Sequence, residues 1–386
     1  MAVNKLDITM MEDVGTSASQ LLQRDGSGNI PAVDGSQVTG ITEFTTSTSD
    51  PAIDTNPAGG VGSLWYNKTG GEMFVCTDAT AGANVWINVG AGSGNIQTLY
   101  QGTQKGYSSG DGAAPNGNVI DWFSFTSDGN STDHADLSAQ RTSSVGHSSS
   151  SYGYVSGGAP TNYIEKFPFA SATNGTNIGN LSGGNVGRNG PGGTSDTIYG
   201  YSAGGSPSVN IIDRFPYASD TNASDVGDLL SGLKKLAGAS STSHGYTAGG
   251  ASGPVNVIQK FAFTASANAT DVGDLTSAFD SATGHQSDTH GYKASGYQTA
   301  SPQYISASHS IQKWSFASDA DATNVGTTTV GKAWAASHSS TTYGYASGGT
   351  PTTLDVIEKF TFASDAAATD VGNLTVGRSY FCGQQY

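Results

Sequence analysis

An all-β fold dominated by a six-bladed β-propeller is what this sequence predicts, and three observations predict it. A Gly-Tyr phrase recurs six times, at Gly106, Gly153, Gly200, Gly245, Gly291 and Gly344. The spacing of 45 to 53 residues is the size of one four-stranded blade. The chain also ends on a phrase, Arg378 to Tyr386, that reads as the first strand of a blade with nothing after it. That last strand would complete the first repeat and leave no open sheet edge.

Each repeat holds four strand-length phrases parted by turn residues. The first is led by a cation: Arg141, Arg188 and Lys332 each stand 11 residues before Tyr152, Tyr199 and Tyr343. The second is the Gly-Tyr phrase, usually followed by a Gly pair. The third reads Ile164-Glu165-Lys166-Phe167, with counterparts at Ile212, Ile258 and Ile357 and variants at Ile120 and Ile311. The fourth is Asn177-Ile178-Gly179, with counterparts ending at Gly227, Gly273, Gly326 and Gly372. A blade is amphipathic on both faces, so it needs neighbours, which a ring supplies.

Composition agrees. There are 54 Gly, charged residues make up only 12%, and aromatics at 9% are too many for a disordered polar tract. A formal net charge of −15 argues against a nucleic-acid partner. No apolar run approaches the roughly 18 residues that read as a membrane-spanning helix, so no membrane insertion is expected. The N-terminus, MAVNKLDITM, lacks the hydrophobic stretch of a signal peptide. Cys76 and Cys382 are too few for a disulfide framework, and the sequence leaves open whether they pair.

Residues 1–95 do not share the repeat. An N-terminal extension spans 1–46, a small β-hairpin module with linkers spans 47–95, and the propeller is expected over 96–386. Gly62 to Cys76 reads as a hairpin about a Thr-Gly-Gly turn, with Val85 to Val89 as a third strand. Residues 42–59 and 90–95 read as linkers.

The repeat resembles the kelch repeat over residues 106–386. Tyr152 to Gly158 looks like the kelch second strand with its double glycine, and Ile164 to Phe167 like the third. The fourth strand departs from it, carrying Val-Gly or Ile-Gly where kelch repeats usually carry Trp. In the N-terminal part, Gln23 to Gly40 and Gly62 to Val89 resemble bacteriophage tail-fibre and related virion proteins. That resemblance implies a homotrimer held to other virion proteins by its N-terminal segment, with the C-terminal domain outward on the virion.

Chemistry-bearing candidates are few. The Asp-rich turns, such as Asp220, Asn222 and Asp225 or Asp319, Asp321 and Asn324, read as hairpin-turn chemistry. The fourth copy, Ser266 to Asp271, has too few oxygens for Ca²⁺. His147 and His338 share one repeat position with Thr194 and Gln384, which points to structure. No catalytic motif or phosphate-binding loop appears. Kelch-type propellers include galactose-oxidase-like enzymes, but only Cys382 and Tyr386 offer themselves for copper chemistry. We therefore expect no enzyme, metal or cofactor.

In an antiparallel blade, the loops joining strands two to three and four to one share one end. The two-to-three loop is longest after Gly291, and its Tyr297, Gln298, Gln303, Tyr304 and His309 suit a polar ligand such as a host-surface glycan. The expectation is a tail fibre or appendage that displays a propeller head for attachment. The alternatives are a virion connector or decoration protein, and a non-viral kelch-like glycan binder or oxidase.

Overall fold

The computed structural model describes residues 44–89, 101–111, 117–183, 187–252, 255–300 and 303–386. The N-terminal extension up to residue 43, including the Gln23 to Gly40 segment, and the 90–95 linker lie outside the described residues. The chain divides into two compact units, Met1–Gln97 and Thr98–Tyr386.

In the first unit the expected hairpin forms from Leu64–Asn67 and Glu72–Asp78, and Val85–Asn88 adds the third strand. A fourth strand, Phe44–Ser47, pairs parallel with Leu64–Asn67. The 42–59 segment is therefore no mere linker. Trp65 Nε1 donates to Ser49 O at 2.9 Å and Asn84 Nδ2 to Ile53 O at 2.9 Å, which ties that segment to the sheet. Phe74, Cys76 and Trp86 form its small core.

The second unit is all-β and propeller-like. Its described residues form six four-stranded antiparallel sheets and one three-stranded sheet, with no helix. Lys105–Ser109, Val119–Ser124 and Thr132–Asp136 make three strands of the first sheet, and Cys382–Gln385 pairs antiparallel with Lys105–Ser109 as its fourth. The innermost strands are Cys382–Gln385, Val145–Ser148, Gly192–Ser195, Ala237–Ser240, Thr283–Gln286 and Ala336–Ser339. They touch in that order, and the last touches the first.

Adjacent sheets are joined by one aromatic stack repeated six times. The Tyr of each Gly-Tyr phrase lies on the second aromatic of the next sheet's third strand. The pairs are Tyr107–Phe169, Tyr154–Tyr217, Tyr201–Phe263, Tyr246–Phe316, Tyr292–Phe362 and Tyr345–Phe125, with ring centroids 4.7–4.8 Å apart. The preceding glycine is needed because the first aromatic of the third strand lies across it: a Cβ on Gly153 would overlap the Phe167 ring. The fourth-strand glycine has a similar cause. A Cβ on Gly179 would overlap the Thr221 carbonyl in the neighbouring sheet's turn, so a bulky residue has no room there.

The cation that leads each first strand is buried against an acid of the third strand. The pairs are Arg141–Glu165, Arg188–Asp213, Lys332–Glu358 at 3.1 Å and Arg378–Asp121 at 2.7 Å. Where the cation is replaced by Leu233 or Phe279, the acid becomes Gln259 or Gln312. Both partners change together because either charge left alone in the interior is costly. In the fifth sheet Lys293 brings a cation from another position, with Nζ 3.3 Å from the Phe279 ring centroid and 2.9 Å from Ser310 Oγ. Burial holds this amine well below the ordinary lysine range.

The Asp-rich turns staple neighbouring sheets. Asp220, Asp319, Asp365 and Asp128 pair with Lys166, Lys260, Lys313 and Lys359 at 2.5–2.6 Å. Asn222 Oδ1 accepts the backbone N–H of Asn180 at 3.0 Å, and Asp321 that of Asp274. Cys76 and Cys382 are both free and buried.

Candidate functional site

The two ends of the innermost strands differ in chemistry. At the end carrying the two-to-three and four-to-one loops, six residues occupy one repeat position: Ser143, Gly190, Lys235, Ser281, Trp334 and Tyr380. Each has a positive φ, between 56° and 63°. Each N–H donates to the carbonyl of its neighbour in the preceding sheet. Tyr380 O accepts from Ser143 at 2.6 Å, Ser143 O from Gly190 at 2.7 Å, and Gly190 O from Lys235 at 2.5 Å. Lys235 O accepts from Ser281 at 3.0 Å, Ser281 O from Trp334 at 2.9 Å, and Trp334 O from Tyr380 at 2.9 Å. The result is a ring of six hydrogen bonds made entirely by backbone.

Inside this ring lies a cavity of about 100 Å³. Its wall is formed by the innermost strands, which approach so closely that a Cβ on Gly146, Gly238, Gly284 or Gly383 would overlap a neighbour's carbonyl. The Trp334 and Tyr380 rings stack 4.5 Å apart at 32°. Lys235 Nζ sits 5.0 Å from the Trp334 ring centroid and 3.9 Å from Asp280 Oδ1. All three side chains are half-buried.

At the opposite end side-chain oxygens join five of the six neighbouring strand pairs. Ser195 Oγ accepts from Ser148 N, Ser240 Oγ from Ser195 N, Ser339 Oγ from Gln286 N, Gln385 Oε1 from Ser339 N, and Ser148 Oγ from Gln385 N, over 2.9–3.4 Å. A smaller polar cavity of about 40 Å³ lies there. The chain comes into the unit at this end: Gln101 Nε2 donates to Gln286 O and Gly102 N to Ser339 O.

Between the two ends sit three buried histidines. His147, His285 and His338 donate from Nδ1 to the carbonyls of Thr194, His338 and Gln384 on the next strand, each at 3.1 Å. Nε2 is thereby left to accept from the Ser156 and Ser347 hydroxyls in His147 and His338, and in His285 it lies 2.8 Å from Thr283 Oγ1. Burial pushes His147 and His285 down to about 4 and His338 to about 3. His285 occupies the same repeat position as His147 and His338, and both nitrogens of all three rings have partners inside the fold.

The expanded loop is a structured hairpin rather than a solvated loop. Tyr297–Ala300 pairs with Gln303–Ala307 and with the two-residue strand Phe279–Asp280. Tyr297 and Gln298 are half-buried. The Tyr297 hydroxyl is 2.9 Å from Thr350 Oγ1, and Gln298 Nε2 donates to Ser277 Oγ at 3.3 Å. His309 is exposed and donates from Nδ1 to Thr328 O at 3.1 Å. Gln303 and Tyr304 are placed on the hairpin by their backbone, and their side chains lie outside the description.

Lys235, Trp334 and Tyr380 escaped the sequence reading, although a signal exists. Each stands two residues after the cation-led position of its repeat, in a column that reads Ser, Gly, Lys, Ser, Trp and Tyr. Of the oxidase candidates, Cys382 is buried and its thiol is pushed up by that burial, and Tyr386 packs on the Phe169 ring. Among the described residues no group of three or more His, Cys, Asp or Glu could hold a metal ion, and no helix is long and apolar enough to cross a membrane. No protein-family model matches the chain, and no curated protein matches it.

Proposed function

We propose that this chain is a bacteriophage virion protein, a tail fibre or appendage whose C-terminal propeller presents a ligand-binding end to the host surface. In this reading the propeller has six blades, and Cys382–Gln385 completes the first. The six equivalent aromatic stacks and the pairing of that strand with Lys105–Ser109 support this architecture. The N-terminal unit would hold the chain to other virion proteins as a homotrimer, which rests on the likeness of Gln23 to Gly40 and Gly62 to Val89 to fibre proteins.

The observation that carries the attachment reading is the polarity of the second unit. The chain arrives at the end built from uniform Ser and Gln, and the varied side chains and expanded hairpin lie at the other. A head held from one side and recognising with the other requires such an arrangement. Antibody raised to residues 98–386 and visualised with gold on particles tests the reading. Label at the outer tips of tail structures is expected. Label confined to an internal junction would favour the connector role, and absence from particles would overturn the virion assignment.

A further inference from the structure

Resting on that attachment reading, we infer that the backbone-ringed cavity is a saccharide subsite that seats one pyranose ring of a surface polysaccharide. Its size is the first reason. At about 100 Å³, it lies well below the roughly 300–1,000 Å³ of drug-sized sites. A single sugar ring entering from solvent is what it can take.

The order of side chains around the ring is the second reason. After Trp334 and Tyr380 come Ser143 and Gly190, the smallest residues of the set, and then Lys235. Lys235 Nζ reaches across Ser281 to within 5.0 Å of the Trp334 ring centroid, so the ammonium and the two aromatic rings gather on one side of the mouth and leave the small Ser143 and Gly190 on the other. A pyranose has a C–H face and a rim of hydroxyls. The Tyr380 ring, backed by Trp334, suits the face, and the Lys235 ammonium suits the rim.

The third reason is the backbone. A left-handed φ costs a non-glycine residue about 1–2 kcal/mol relative to glycine. Gly190 shows that glycine serves in this ring, with φ 63°. Lys235, Trp334 and Tyr380 bear that cost although the ring's hydrogen bonds use none of their side-chain atoms. Bulky residues held in such conformations cluster at ligand sites.

The glycine precedent also supplies clean variants. Tyr380→Gly, Trp334→Gly and Lys235→Gly remove side chains while suiting the backbone. Full-length protein and each variant, checked for unchanged melting, would be mixed with methyl pyranosides of glucose, galactose, mannose, rhamnose and N-acetylglucosamine. Saturation-transfer NMR reads the binding. At least one sugar should receive transfer from the native chain, and its affinity should fall about tenfold in Tyr380→Gly, the loss of one aromatic anchor. No transfer to any of the five sugars, or undiminished binding in both Tyr380→Gly and Trp334→Gly, overturns the inference. The attachment reading fails by a different result: soluble protein that binds a sugar through these residues yet never delays adsorption of the phage to its host.

Discussion

The two ends of the second unit solve one problem with different atoms. Both must join six innermost strands sideways: one end does so with a circle of six backbone hydrogen bonds, the other through five side-chain ones. At the mouth the acceptors are backbone carbonyls, so Ser, Gly, Lys, Trp and Tyr all serve at one position. At the opposite end the acceptors are side-chain oxygens, and only Ser and Gln appear. Where the backbone closes the circle, the side chains are released for other work. Where side chains close it, they are fixed by the fold.

The largest expected effect comes from removing the strand on which both circles depend in the proposed closure. Deleting residues 379–386 takes away Tyr380 from one circle and Gln385 from the other, with Phe381 and Cys382 from the core. A strand of this length makes on the order of four ladder bonds at about 0.5–1.5 kcal/mol each, before the apolar loss is counted. Against a typical stability of about 5–15 kcal/mol, the product should be unfolded or aggregated at room temperature. A truncated chain that melts with the native one would break the proposed closure.

Next in size is acid. The three histidines between the circles titrate in the unfolded chain near 6.5 and in the folded one near 3 to 4. Folded values below unfolded ones mean that the unfolded chain binds more protons as pH falls. Stability is therefore full above about pH 6.5 and drains away between there and about pH 4. At about 1.4 kcal/mol per pKa unit, each histidine removes on the order of 3 kcal/mol across that window. Urea melts at pH 7.5, 6, 5 and 4 should show the decline. His147→Gln and His338→Gln, which copy the Gln384 found at the equivalent position, should flatten it. An unchanged slope in those variants would show that the loss originates elsewhere.

Much of this was legible in the sequence because it is imposed identically on every sheet. Gly153 and its counterparts lie under a cross-strand aromatic, so the Gly-Tyr phrase survives in all six copies. The cation of the first strand and the acid of the third are kept, or lost together, for the same reason. Features made once are harder to read. The pairing of Tyr297–Ala300 with Phe279–Asp280 joins segments that no repeat predicts. Phe44–Ser47 offers a polar phrase whose parallel partner lies some 20 residues on. Trp334 and Tyr380 were hidden because a variable column resembles an unconstrained loop, and only the φ angles show its backbone to be fixed.

A third test probes the side-chain circle directly. Ser148→Ala removes the oxygen that accepts Gln385 N–H at 2.9 Å in a half-buried place. The expected loss is about 0.5–1.5 kcal/mol, the net contribution of one hydrogen bond. Urea denaturation at neutral pH measures it. A cost near zero would mean that this circle is no more side-chain-dependent than the other.

The smallest effect should fall five residues away on the same strand path. Ser143→Gly changes the mouth circle at a residue with φ 56°, and the two hydrogen bonds there, to Tyr380 O and from Gly190 N, use only backbone atoms. Glycine relieves a left-handed strain of about 1–2 kcal/mol. It also frees the unfolded chain, which costs the folded state about 0.4–1 kcal/mol. The two terms nearly cancel, with a small surplus toward stability, so the urea midpoint should stay level or rise slightly. Because both substitutions remove a serine hydroxyl from one innermost strand, their difference isolates the origin of the acceptor. If Ser143→Gly destabilises as much as Ser148→Ala, the mouth depends on its side chains for folding. Trp334 and Tyr380 would then owe their place to packing, and the argument for a ligand at the mouth would lose its backbone support.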